Sequence, residues 1–343
     1  MSNLRYVRKL GDGSYGSVWL AEDLGTGAMR AVKLVAPSAI PDLQAFNDEA
    51  RVLYELRHPN IVSVFATEIG PPNGTTPDVN MYAIIMEYMK DGSLEDVLAK
   101  DPPLLTEGIR RFAEACRGTE RVHACGYVHR DIKPANILLD GAFTKLSDFG
   151  LTQPLTGGFG SAAGTPYYVA PELFEYGPTS PRSDVYSLGV TLYEIVNGSE
   201  SLKWNGTIND FSHAVVRGQF PGRGDHAPFV PKALRQVINR ALHVEPVKRF
   251  PSVTTFRHAL GQIPINCNWR RMACEHERWL GAGLHGLFCV EADMCSGTIE
   301  VSHCKATDRP FRRMMADCLY DASPKDLRKH QQIIMQRITL TGR

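Results

Sequence analysis

The stretch Tyr-Val-His-Arg-Asp-Ile-Lys-Pro-Ala-Asn-Ile-Leu-Leu, residues 127–139, sets a His, an Arg, an Asp, a Lys and an Asn between two apolar runs. Two readings are open. Either Asp131, Lys133 and Asn136 point into one site from a loop held between buried segments, or they solvate a turn between strands. Two short strand patterns follow, Ile137 to Leu139 and Thr144 to Leu146, and then Asp148-Phe149-Gly150. Oxygen donors from neighbouring loops, such as Asn136 and Asp148, suit Mg2+, which takes carboxylate, amide, phosphate and water oxygens. Asp131, two residues before Lys133, is placed to accept a hydroxyl proton while the lysine neutralises a phosphate in transfer.

Upstream, Gly11-Asp12-Gly13-Ser14-Tyr15-Gly16-Ser17-Val18 is a G-x-G-x-x-G run, whose glycines let backbone amides approach phosphate. A dinucleotide site would need a helix to open at the third glycine. Here Val18-Trp19-Leu20 reads on as strand, which favours a glycine flap over phosphates. Strand alternation turns Lys33 to the same face as Ala31, under that flap. A lysine among apolar neighbours wants a carboxylate, and the helical pattern between Pro41 and Leu56 offers Glu49.

Leu4 to Val35 reads as an antiparallel meander, and Ile61 to Ile69 and Met81 to Tyr88 as two further strands. After Asp91-Gly92-Ser93 helical patterns dominate: Leu94 to Ala99, Thr106 to Cys125, Ser183 to Asn197 and Pro231 to Val244. A small β-rich lobe is thus expected to join a larger helical one near Glu87 to Gly92.

At 343 residues and 43% hydrophobic, the chain is long for one compact unit, and two or more domains are expected. Its 38 Lys and Arg against 37 Asp and Glu argue for neither nucleic acid nor an acidic membrane as partner. The opening MSNLRYVRKL lacks the apolar core of a signal peptide, and no apolar run reaches bilayer length, so a soluble, cytoplasmic protein is expected. Two of the eight cysteines precede residue 263 and six follow it, unlike a cystine-stapled secreted domain, so reduced thiols are expected.

In order along the chain stand the glycine loop, Lys33 in Ala-Val-Lys, Glu49, His129-Arg130-Asp131, Asn136, Asp148-Phe149-Gly150, Ala170-Pro171-Glu172, Asp184 and Arg249. From about Leu4 to about Leu260 the chain resembles the eukaryotic-type (Hanks-type) serine/threonine protein kinases, and its 230–260 segment looks like bacterial members. The resemblance implies an α+β, bilobal protein kinase fold over 1–262, with lobes of about 1–88 and 89–262. It implies ATP with Mg2+ (or Mn2+), protein substrates, and a homodimer for autophosphorylation in trans. Asp131 would be the catalytic base, Lys133 a phosphate contact, and Asn136 with Asp148 the metal ligands. Lys33, paired with Glu49, would hold the α- and β-phosphates. Leu10 and Val18 would cover the adenine, Ala31 and Leu138 would sandwich it, backbone groups of Glu87 and Met89 would bond its edge, and Met86 would be the gatekeeper.

Leu53, Val64, His129 and Phe149 match the family's regulatory spine, and Glu172 with Arg249 its structural ion pair. Ser161 occupies the family's activating phosphosite, with Arg130 as the expected cation, while Thr165 would contact Asp131 and Lys133 in the substrate platform. Tyr186 departs from the tryptophan usual in animal kinases. Two other functions compete. A pseudokinase scaffold would be favoured by loss of Lys33, Asp131, Asn136 or Asp148, and all four are present. A small-molecule kinase of related fold would lack the platform of Gly164 to Glu172.

Beyond a boundary placed at Ile263-Pro264-Ile265, the residues suggest a small α+β accessory module, with Phe288 to Val290 and Ile299 to Val301 as strands and Ser323 to Gln336 as a helix opened by Ser-Pro. Its cysteines include no Cys-x2-Cys knuckle, so the spacing rules for structural zinc are not met.

Overall fold

Alternation along the early strands builds the first layer. In the computed structural model, which describes residues 3–13, 16–36, 54–70, 81–100, 102–154, 166–175, 177–272, 277–305 and 309–343, five antiparallel strands run in the order β1-β2-β3-β5-β4. They are β1 (Leu4–Gly13), β2 (Gly16–Asp23), β3 (Met29–Val35), β4 (Val64–Gly70) and β5 (Met81–Glu87). The helix expected over 41–56 falls almost wholly outside the described residues, Glu49 and Leu53 included. Leu4, Ala21, Val32, Leu34, Ala83 and Ile85 form a small apolar core of this sheet. Ala31 and Lys33, one residue out of phase with Val32 and Leu34, take the opposite face.

β4 begins at Val64 instead of Ile61 because residues 60–62 are spoken for. Ile61 bridges Leu146, the Val62 N–H donates to Leu146 O at 2.9 Å, and the Leu146 N–H donates to Asn60 O at 2.9 Å. This stitch passes directly over α2, where a Cβ on Gly118 would lie 2.5 Å from the Asn60 carbonyl, so only glycine admits it.

The second layer is helical: α1 (Leu94–Lys100), α2 (Leu105–Ala124), α3 (Pro171–Phe174), α4 (Pro181–Asn197), α5 (Ile208–Val216), α6 (Lys232–Ala241) and α7 (Val253–Gly261). β6 (Tyr127–Val128) pairs with β9 (Gln153–Pro154), and β7 (Ile137–Asp140) with β8 (Phe143–Leu146). α4 is buried on every side from Ser183 to Val196, as expected of a helix threaded through a core. α6 stops at Ala241, short of the expected Val244, because the next carbonyls serve arginines. Arg223 donates to Leu242 O, and Arg249 to His243 O and Val244 O.

Near the C-terminal end of α4, burial and the Arg235 charge hold the His226 imidazole down at about 4, and its Nδ1 accepts from Asn197 Nδ2 at 3.3 Å. This ring folds neutral, whereas an unfolded histidine gains its proton near pH 6.5. Protonation therefore favours the unfolded chain, and the loss begins as pH drops below the unfolded value. Acidification from pH 7 to pH 5 is expected to cost about 2 kcal/mol through this residue, which His226→Asn should largely abolish in urea titrations at the two pH values.

The last 77 residues carry a second antiparallel sheet ordered β10-β11-β12-β13-β14 and one long helix. The strands are β10 (Cys267–Met272), β11 (Glu277–Gly283), β12 (Gly286–Asp293), β13 (Thr298–Cys304) and β14 (Arg312–Arg313). α8 (Pro324–Thr341) runs five residues past the expected Gln336, because Ile338 and Thr339 are buried and Gly342, at φ 69°, makes the left-handed stop. Trp269 Nε1 donates to Thr339 Oγ1 at 2.9 Å, fastening α8 to the sheet.

This sheet shares one apolar core with the helical layer, and the Phe229 and Trp279 rings meet at 5.6 Å. It also repairs a helix end. Leu104 cannot cap α2, and the Thr106 N–H instead donates to Asn268 Oδ1 at 2.9 Å. Asn268→Ala is expected to lower the unfolding free energy by about 1 kcal/mol, read from the denaturation midpoint; an unchanged midpoint would show that water replaces the cap. Among the described residues no helix is long and apolar enough to cross a membrane.

Candidate active site

Between the first sheet and the helical layer lies a cavity of about 650 Å³. Its upper wall carries Leu10, Gly11, Asp12, Val18, Ala31 and Lys33, its back edge Met86, Glu87 and Met89, and its floor Lys133, Asn136, Leu138 and Asp148. Gly16 and Ser17 stand at the start of β2, outside this lining. Gly16 is needed for a different reason, since a Cβ there would collide with the Leu34 carbonyl. Gly13 ends β1 opposite Gly16, and Ser14, Tyr15, Glu49, Ser161 and Thr165 lie outside the described residues.

The inner end of the cavity is a charged knot. Lys33 Nζ sits 3.1 Å from Asp148 Oδ1, and Lys133 Nζ 2.9 Å from Asp131 Oδ2. Burial works to raise the Asp148 carboxyl, but the Lys33 ammonium overcomes it and holds the group below the ordinary aspartate value. Asn136 Nδ2 donates to the Asp131 carbonyl at 2.7 Å and to Asp131 Oδ2 at 2.9 Å. With its N–H groups so used, Asn136 offers Oδ1 as an acceptor. An amide oxygen and an ionised carboxylate oxygen lining one cavity are a hard-cation donor set, and they fit Mg2+.

Backbone geometry holds the knot. Arg130 (φ 72°) and Asp148 (φ 59°) adopt the left-handed region that side chains disfavour. For Arg130 the restraint is Asp184 on α4, whose carboxylate accepts from the His129 N–H and the Arg130 N–H, each at 2.9 Å, and lies 2.7 Å from His123 Nε2. Burial alone would raise the Asp184 carboxyl, yet these bonds and the nearby histidines keep it below the usual range.

His129 is wholly buried, and burial pushes its imidazole below the ordinary value. The Asp131 N–H donates to His129 Nδ1 at 3.3 Å, which puts the ring proton on Nε2, 3.2 Å from Ser147 O. Its ring meets Phe149 edge to face at 4.8 Å, and Val64 packs against the same core; these are the described members of the expected spine.

Further along the chain, Tyr167 and Phe174 rest on aromatic rings. Tyr167 meets Phe211 at 5.1 Å and Phe220 at 5.8 Å. Arg249 binds Glu172 through Nη1 and Nη2, at 2.9 and 2.6 Å. Reading the sequence alone assigned no role to the Asp184 carboxylate, Lys145 or the Glu87 side chain. For Lys145 a signal existed, because the tight β7–β8 hairpin sets it directly opposite Leu138.

A five-stranded sheet over a helical layer, with a cleft between them that ends in paired lysines and carboxylates, defines a two-lobed phosphotransferase fold. The chain belongs to the protein kinase domain family, whose pattern matches residues 4–260. It is 33% identical over 272 residues to the serine/threonine-protein kinase Pkn1 of Myxococcus xanthus, covering 75% of this chain and 38% of that protein. Against the serine/threonine-protein kinase PknB of Mycolicibacterium smegmatis it is again 33% identical over 272 residues, covering 74% of this chain and 43% of the relative. The serine/threonine-protein kinase drp72 of Corynebacterium efficiens is 31% identical over 268 residues, with 75% and 50% covered. The alignments therefore span half or less of the length of these relatives.

Proposed function

We propose that the chain is a serine/threonine protein kinase that transfers the γ-phosphate of ATP to protein hydroxyls and to its own segment between Gly150 and Ala170. The observation that carries this reading is the meeting of the Lys33–Asp148 and Lys133–Asp131 pairs with Asn136 at the inner end of one cavity. The printed names of the three bacterial relatives agree with it.

In this reading the adenine lies between Ala31 and Leu138, under Leu10 and Val18, and bonds backbone groups of Glu87 and Met89 beside Met86. Lys33 meets the α- and β-phosphates, with Glu49 as its second carboxylate, and Gly11 to Val18 cover the phosphate chain. Asn136 and Asp148 hold Mg2+, which supplies positive charge to the phosphates. Asp131 orients the acceptor hydroxyl and takes its proton, and Lys133 offsets charge on the phosphate in transfer. Ser161 and Thr165 are the proposed phosphosites, with Arg130 the cation for the first, and a second copy of the chain the phosphorylating partner. Residues 1–262 act as the catalytic unit in the cytoplasm and 263–343 as an accessory module that docks a partner or regulates the kinase, with neither nucleic acid nor membrane as partner of the protein.

The test is transfer of labelled γ-phosphate from ATP to the chain itself and to a generic basic protein, with Mg2+ or Mn2+, and phosphosites mapped by mass spectrometry. Incorporation on serine or threonine supports the reading. Its absence under both metals overturns it.

A further inference from the structure

The segment from Glu87 to Gly92 crosses from the first sheet to α1 and supplies the back edge of the cavity, so its placement sets the width of the adenine subsite. Its far end is zipped to β7: the Asp91 N–H donates to Leu139 O at 3.0 Å, the Leu139 N–H to Gly92 O at 2.9 Å, and the Gly141 N–H to Asp91 Oδ2 at 2.6 Å. Its near end is held differently. The Glu87 N–H donates to Ser63 O at 2.9 Å, which ties it to the upper layer. The tie downward is ionic, with Lys145 Nζ at 2.9 Å from Glu87 Oε1 and 2.7 Å from Oε2.

Lys145 does not line the cavity, yet it bonds the back edge and stands beside the floor. On β8 it stands directly opposite Leu138 of β7, so the two side chains leave the hairpin on one face as immediate neighbours. Leu138 is floor and Glu87 is back edge. The Lys145 side chain is only 14% exposed and that of Glu87 29%, so the pair is shielded from solvent more than an ordinary surface bridge. The same carboxylate accepts from the Ser63 N–H at 3.3 Å, so upper layer, crossing segment and lower hairpin meet at Glu87.

We infer that Lys145 is a positioning residue for nucleotide binding: through Glu87 and Leu138 it holds the back edge and the floor of the adenine subsite in register. This rests on the proposed function, because the occupant of the subsite is taken to be ATP. Losing the ammonium leaves the Glu87 carboxylate without its cation and releases the near end of the crossing segment from the lower hairpin, while its ties to the upper layer remain. The cost falls on affinity for nucleotide, whereas the groups at the inner end, on the catalytic loop and Asp148, keep their own ties.

The experiment measures ADP and ATP binding by calorimetry on the full chain with Mg2+, and kcat and KM for ATP on a generic protein substrate. Lys145→Met keeps the stem and removes the charge, and is expected to weaken nucleotide binding about five- to tenfold, raising KM with kcat nearly unchanged. Lys145→Arg should restore most of the affinity. The Glu87→Gln and Lys145→Met double variant should bind no more weakly than the poorer single variant, because both remove one interaction. If wild type binds no nucleotide, the reading of the cavity fails and this inference with it. If wild type binds and Lys145→Met binds equally well, only the positioning role is overturned. A fall in kcat and melting temperature at unchanged KM would overturn it too, since that is the signature of a structural contact alone.

Discussion

Asp131→Asn is expected to lower phosphate transfer by about two to four orders of magnitude while leaving nucleotide affinity within a few-fold of wild type. The substitution is almost isosteric. An asparagine retains one oxygen to accept from Asn136 Nδ2, now 2.9 Å from Asp131 Oδ2, so the loop keeps its shape. What it loses is the capacity to take a proton and the negative charge opposite Lys133, which lies 2.9 Å from that carboxylate. Lys33 and Asp148, on the other side of the knot, keep each other at 3.1 Å. The selectivity of the loss is the point of the measurement. Single-turnover phosphorylation should collapse, calorimetric ADP binding should persist, and the unfolding midpoint should move little. Residual transfer within tenfold of wild type would remove Asp131 from the role of base.

The 129–139 loop was legible in the sequence for a physical reason: its polar groups are closely spaced within one segment. Asp131, Lys133 and Asn136 lie within six residues, and their mutual bonds are local. Asp148 was readable because a hairpin of two four-residue strands leaves little freedom in where the next loop emerges. The strands of the first sheet announced themselves through alternation, with Val32 and Leu34 turned one way and Ala31 and Lys33 the other.

Distant contacts outside the motifs were not legible, unlike the Glu172–Arg249 pair. Nothing near Thr106 says that a side chain 162 residues further on will cap α2, since the match is made by tertiary packing of the second sheet. The end of α8 was hidden likewise: Ile338, Thr339 and Thr341 are weak helix formers, and the turn persists because Ile338 and Thr339 are buried against the sheet. At the edge of β4, hydrophobic pattern favoured a strand from Ile61, but the backbone of 60–62 was already committed to Leu146.

Arg249→Ala is expected to destabilise the protein by about 3–5 kcal/mol, the largest stability effect of any single substitution considered, and a large part of a typical domain's margin. Five donors explain why. Nε donates to His243 O at 2.7 Å, Nη1 to Glu172 Oε1 at 2.9 Å and Arg182 O at 2.8 Å, and Nη2 to Glu172 Oε2 at 2.6 Å and Val244 O at 3.0 Å. Each N–H of the guanidinium has a partner, and the group also lies over the Tyr186 ring, with Cζ 5.0 Å from its centroid. Tyr186 is itself fully buried beneath it. Alanine leaves three carbonyls and one carboxylate without these donors in a region where the arginine side chain is 0% exposed. Lysine keeps the charge but brings three donors in the wrong geometry, so Arg249→Lys should lose more than half as much. Glu172→Gln should cost less than Arg249→Ala, because it retains an acceptor and Ser183 Oγ still bonds at this position, 2.9 Å from Oε1 in the wild type. Replacing both partners with Met and Leu should recover part of the loss, as an apolar pair no longer strands a charge. Urea unfolding of the four variants decides it. A loss below about 1 kcal/mol for Arg249→Ala would mean that water reaches the site and replaces the arginine. Because Glu172 sits on α3 directly after 166–168, the same variants should also lose activity toward protein substrates before they lose nucleotide binding, and a parallel decline of both would tie the effect to global unfolding instead.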